Sequence, residues 1–112
     1  MGHASKNSIE NSQFIESFIE GRVRLRSPLL RDRTLASQLT AGLLAIDGVT
    51  RAEANPRTCG LLLEYDRSRL PLDRIMGAAP ILESVAALER LPGPERAAAL
   101  APLLEELRRI LE

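Results

Sequence analysis

The chain has 112 residues, with 15 Lys+Arg against 15 Asp+Glu and a formal net charge of zero. That length accommodates one folding unit, and 45% apolar with 27% charged residues is a globular balance, not that of a disordered chain. A single Cys excludes an intramolecular disulfide framework, a single His excludes most zinc chemistries, and zero net charge supplies no whole-molecule field for nucleic acid or anionic lipid.

Residues 1–13 are polar and aperiodic and read as a flexible tail; His3 falls within it, with no metal-ligating neighbour. Phe14, Ile15, Phe18 and Ile19 fit either one helical turn or the start of a strand, and their spacing does not decide. The run Arg22–Arg26 alternates strictly. It sets Val23 and Leu25 on one face and Arg22, Arg24 and Arg26 on the other, the pattern of a strand with one wet face. Pro28 ends it. Asp32 is placed to cap a helix in which Leu35, Leu39, Leu43 and Ile46 form one stripe, with Asp47-Gly48 as its stop.

Two short strands follow, Gly48–Ala54 and Gly60–Tyr65, joined by the turn sequence Asn55-Pro-Arg-Thr-Cys-Gly60. A right-handed crossover from the first of these three strands through the helix sets the first and third side by side. Beyond Asp66 the patterns are helical. Pro71 opens a first helix, Pro80 is expected to kink or end it, and a second stretch runs to Leu91. After Pro92-Gly-Pro94, a Leu stripe from Leu100 to Leu111 marks a last helix that Pro102 is expected to kink or start. The segments 79–85 and 101–107 share Ala-Pro-x-Leu-Glu, and the two could form a helical hairpin around the Pro-Gly-Pro turn. The reading is an α+β domain over 14–91 with an amphipathic helix over 92–112.

The pieces Gly21-Arg-Val-Arg24, Gly48-Val49, Asn55-Pro-Arg-Thr58 and Leu63-Glu-Tyr-Asp66 resemble, in this order and spacing, the heavy-metal-associated-like domain family. The resemblance covers about residues 14–70. It implies a ferredoxin-like sandwich of the kind found at the N-termini of some bacterial metal-transporting P-type ATPases and in free-standing proteins. Metal-carrying members hold a soft ion with Cys-x-x-Cys between the first strand and first helix. The matching stretch here, Ser27–Arg33, has no Cys, His or Met, so the resemblance is to the branch lacking that motif. That branch usually has Gly directly after the Thr of the hairpin, whereas Cys59 intervenes here. The family's fourth strand has no visible counterpart after Asp66. Helix-forming sequence stands in its place, so the fold is expected to be truncated or remodelled at that edge.

Cys59 has two readings. It is a small residue in a surface turn, or it is a metal or redox ligand shared across a homodimer, with Arg57 lowering its pKa. Arg22, Arg24 and Arg26 also have two: cross-strand pairing with Glu64 and Glu53, or an anion- or partner-facing patch extended by Arg51 and Arg57. The unpaired edge of the first strand needs a cover, and the Ile15–Ile19 segment, the C-terminal helices or another chain could supply it. No nucleophile, base and acid come together in the sequence, and the sheet face lacks aromatic platforms for bases. The expectation is a non-enzymatic accessory or regulatory module of metal homeostasis, acting by protein contacts beside a membrane metal transporter. It is expected to be cytoplasmic, with no cofactor, no nucleic acid and no membrane insertion. Arg22, Arg24, Arg26, Glu64, Asn55, Arg57 and Thr58 form its expected interaction surface. Two alternatives stand beside it: a carrier using Cys59 across a dimer, and a structural protein that self-assembles through open sheet edges.

Overall fold

Glu20 and Gly21 form a two-residue turn, Gly21 at φ +95° taking a conformation that side chains rarely adopt. On either side the apolar alternation forms a hairpin: β1 (Ile15–Ile19) and β2 (Arg22–Arg26). The computed structural model describes residues 14–112, so the tail and His3 lie outside the described residues. A 3-10 turn (Pro28–Arg31) leads to α1 (Arg33–Leu44), then β3 (Val49–Asn55) and β4 (Gly60–Tyr65). The chain finishes with α2 (Leu72–Ala86), a second 3-10 turn (Ala87–Arg90) and α3 (Gly93–Leu111).

The four strands form one sheet in the order β1-β2-β4-β3, each pair antiparallel. β2 and β3 therefore run parallel to each other with β4 between them, which is the ferredoxin-like arrangement of a strand–helix–strand crossover with a third strand inserted. The strand expected after the second helix is replaced by β1, which arrives from the N-terminal side and fills the edge beside β2. The ambiguous Phe14–Ile19 segment resolves as a strand because pairing with β2 buries Ile15 and brings Phe18 against the core.

Asp32 caps α1, its Oδ1 accepting from Leu35 N at 3.2 Å, and Leu35, Leu39 and Leu43 are buried beneath the helix as one stripe. The helix stops at Leu44, earlier than the Asp47-Gly48 signal; Gly48 (φ +101°) instead starts the bend into β3. The three helices enclose a single core with the sheet. Ile15, Phe18, Val23 and Leu63 from the strands meet Leu43, Ile75, Leu82, Leu107 and Leu111 around an apolar void of about 20 Å³.

Neither proline divides its helix. α2 continues through Pro80 and α3 through Pro102, so of the expected kink or boundary at each proline the boundary is absent. An interior proline costs about 3 kcal/mol. Burial of Ile81, Leu82 and Val85 beyond Pro80 returns about 1.5–3 kcal/mol each, so one continuous helix is favoured. Leu107 and Leu111 act the same way beyond Pro102. α3 packs on α1 at Gly42, where an added Cβ would lie 2.6 Å from Leu104 Cδ1. Gln38 Nε2 donates to Ala97 O at 3.1 Å and fastens the same contact.

Candidate functional site on the outer sheet face

The pleat sends one set of side chains to the helices and the other to the opposite surface. Cross-strand register orders the outward set into rows. Ile19, Arg22, Glu64 and Arg51 make the first, Ser17, Arg24, Leu62 and Glu53 the second, and Arg26, Gly60 and Asn55 the third. The bulge between Ile15 and Ser17 leaves Glu16 exposed beside Arg26. Ile19, 66% exposed, and Leu62 are large apolar residues on this face.

Three of the four arginines have a carboxylate. Arg22 Nε lies 3.6 Å from Glu64, Arg26 Nε 3.5 Å from Glu16, and Arg51 Nη2 3.1 Å from Glu53 with Glu64 at 3.9 Å. The hydrogen bond that Arg51 donates to Glu53 holds its guanidinium above its ordinary pKa. Arg24 differs. Its cross-strand neighbours are Ser17 and Leu62, and it has no ion pair or side-chain hydrogen bond among the described residues.

Beside Arg24 the sheet is concave. Gly60 has no side chain between Arg26 and Asn55, and a groove of about 520 Å³ opens there, lined by Arg24, Arg26, Leu62, Asn55, Thr58 and Glu53 among others. The Asn55 Oδ1 accepts from Arg57 N at 3.0 Å, which fixes the turn and leaves the Asn55 amide nitrogen as a donor on the groove wall. Arg22, Arg24, Arg26 and Glu64 thus share one face, and Asn55 and Thr58 join Arg24 and Arg26 at the groove. Arg57 is exposed in the turn and does not line it.

Cys59 points elsewhere. It adopts φ 61°, a left-handed conformation unusual for a side-chain-bearing residue, and is 8% exposed, so it is not the surface residue that a turn position suggests. Arg31 Nε donates to its Sγ at 3.2 Å, and Ser27 N donates to the Cys59 carbonyl at 3.0 Å. These bonds join the hairpin to the loop after β2, where metal-carrying relatives of the resemblance place their ligands. In that loop the Ser27 Oγ accepts from Leu29 N, and the Asp32 carboxylate is engaged by Leu35 N and by Arg96 at 3.5 Å.

Sequence reasoning missed Glu16 and Arg31. Without a decision between strand and helix for residues 15–19, Glu16 had no face. Arg31 reaches Cys59 across 28 positions of sequence, and no local pattern signals that.

The sheet order and single helical layer define an α+β, ferredoxin-like module with a polar outer sheet face. The family model described as "Heavy metal associated domain 2" matches residues 6–110, and the chain belongs to that family. No curated protein and no solved structure gives a match. The match reaches across α2 and nearly all of α3.

The family description implies a heavy metal, and the donor set does not fit one. Soft ions need paired thiolates or imidazoles. Among the described residues no group of three His, Cys, Asp or Glu side chains is placed to hold an ion, and the Cys59 thiol is engaged by Arg31. Likewise among these residues, no helix is long and apolar enough to cross a membrane.

Proposed function

We propose that this chain is a non-enzymatic accessory or regulatory module of metal homeostasis, acting through protein contacts on the outer sheet face and not by carrying an ion. The observation behind this reading is a division of chemistry between two sites. The loop after β2 keeps its place in the fold but has no soft donors, whereas the sheet face presents an uncompensated guanidinium beside an open groove. The partner in this reading is a membrane metal transporter, as the family resemblance implies, met on the cytoplasmic side. Nucleic acid is disfavoured because Phe14, Phe18 and Tyr65 all pack into the core and leave the sheet face without stacking platforms.

The alternatives are weaker on physical grounds. A carrier sharing Cys59 across two copies would need to expose a buried thiol and break its bond from Arg31. Assembly through the β3 edge meets a bulge between Val49 and Arg51 and two charged side chains, features that obstruct strand addition. Native mass spectrometry of the reduced, chelator-free protein with Cu(I) or Zn(II) added tests the proposal. Bare chains for the wild type and Cys59→Ser are expected. A metal adduct on a dimer, lost in Cys59→Ser, would refute the module and establish the carrier.

A further inference from the structure

We infer that the groove beside Arg24 is a carboxylate-recognition site that receives one acidic side chain from an extended segment of a partner protein. The inference rests on the reading of the outer face as a contact surface and names the chemistry that face recognises.

The first support is charge. Arg22, Arg26 and Arg51 are each paired with a carboxylate, so among the described residues the face carries one uncompensated guanidinium, that of Arg24. A guanidinium in a wet site gains most from a carboxylate that meets its planar fork with two parallel hydrogen bonds.

The second is the donor arrangement. Asn55 and Thr58 line the same groove, and the Asn55 amide nitrogen and Thr58 hydroxyl have no hydrogen-bond acceptor among the described residues. Thr58 Oγ1 lies 3.3 Å from where a Cβ on Gly60 would be, so it stands over the slot that this glycine leaves open. Donors from β2 and from the β3–β4 turn, more than 30 positions apart in sequence, thus converge on a space whose two carboxylates, Glu16 and Glu53, are already held by Arg26 and Arg51. The half-buried Leu62 offers an apolar floor for the methylene groups of a glutamate.

The third concerns what is rejected. Glu16 on β1 and Glu53 on β3 flank the groove. A phosphate cluster or other polyanion spanning it would meet both carboxylates, whereas a single carboxylate fits between them. β1 and β3 are three strand spacings apart, about 14 Å. In an extended peptide, residues i−2 and i+2 are about 13 Å apart. The segment that fits is therefore a Glu with basic residues two positions to either side, each facing one of the flanking glutamates.

The test is an NMR titration of the full chain with the blocked pentapeptide acetyl-Lys-Val-Glu-Val-Lys-amide, beside the same peptide with Gln at its centre. We expect saturable shifts at the Arg24 Nε–H and the Thr58 and Gly60 amides with the Glu peptide and none with the Gln peptide. Arg24→Gln should weaken binding about tenfold or more. Arg24→Lys, which keeps the charge but not the fork, should fall between. Arg109→Gln, exposed on α3 away from the sheet face, should leave affinity within about a factor of two. Circular dichroism establishes that each variant is folded.

Equal response to both peptides, wild-type affinity in Arg24→Gln, or tighter binding of tripolyphosphate than of the Glu peptide would each overturn the inference. Shifts elsewhere on the sheet face with Arg24 unmoved would overturn it while leaving the contact-surface reading intact. A metal adduct in the mass spectrum would strike at that reading instead.

Discussion

Cys59 holds a backbone conformation for which glycine is the natural residue, so replacing it by Gly and by Ala separates backbone from side-chain effects. Both substitutions remove the buried thiol and its bond from Arg31, and those losses cancel in the comparison. What remains is the left-handed conformation at φ 61°, which costs an L-residue about 1–2 kcal/mol. Against that stands the greater freedom of Gly in the unfolded chain, worth about 0.5–1 kcal/mol. Cys59→Gly should therefore be more stable than Cys59→Ala by about 0.5–1 kcal/mol, a difference of about 2–5 °C in Tm for a domain of this size. Urea unfolding under reducing conditions, with both variants fitted to a common slope, measures it. If Cys59→Ala matched or exceeded Cys59→Gly, the hairpin would not hold the strained conformation in solution, and the joint between hairpin and loop would need another explanation.

Two further outcomes follow from local geometry. Asp32→Ala removes the α1 cap and the partner of Arg96, and should destabilise the protein by about 1–2 kcal/mol in the same assay; a loss within error would mean that water caps α1 equally well. The Asp66 carboxyl is held below its ordinary pKa, first by the Ser68 hydroxyl and then by the Ser68 backbone N–H. A lowered folded-state pKa stabilises the fold above the ordinary carboxylate range, and that contribution fades as pH falls through the lowered value. Carbon-13 NMR titration should show Ser68→Ala moving Asp66 back up, and an unchanged midpoint would refute the assignment.

Where the sequence was legible, the physics was local. Strict alternation at Arg22–Arg26, the Asp32 cap and the Leu35/Leu39/Leu43 stripe each follow from one strand or one helix seen alone. The same alternation placed Arg22, Arg24, Arg26 and Glu64 on a common face. Failures came where tertiary packing outweighed a local preference. Pro80 and Pro102 are strong breakers by themselves, but apolar residues on both sides of each find the same core, and the helices persist. The segment Ile15–Ile19 had no decisive period because its bulge disrupts alternation, and only pairing with β2 selects the strand. Cys59 was misplaced because a turn position suggests exposure, while Ser27 and Arg31 draw the turn back onto the body of the protein.

That same joint lies in the loop after β2. The end of the sheet where β2 runs into α1 is where a metal-carrying fold of this kind offers backbone and side chains to an ion. Here Ser27 Oγ and the Asp32 carboxylate are spent on helix starts, and the nearby sulfur is tied to Arg31. Replacing Ser27, Arg31 or Asp32 by a ligand would break bonds that hold the local structure. The outer face is different. Its paired arginines and glutamates contribute little individually, since exposed ion pairs are worth about 0–1 kcal/mol. Among the described residues Arg24 participates in none of them, and the turn residues Asn55 and Thr58, 31 or more positions away, are brought near it only by the sheet register. A guanidinium with no ion pair or hydrogen bond among the described residues is available to an outside carboxylate, which is why the functional reading rests on the face of the sheet and not on its end.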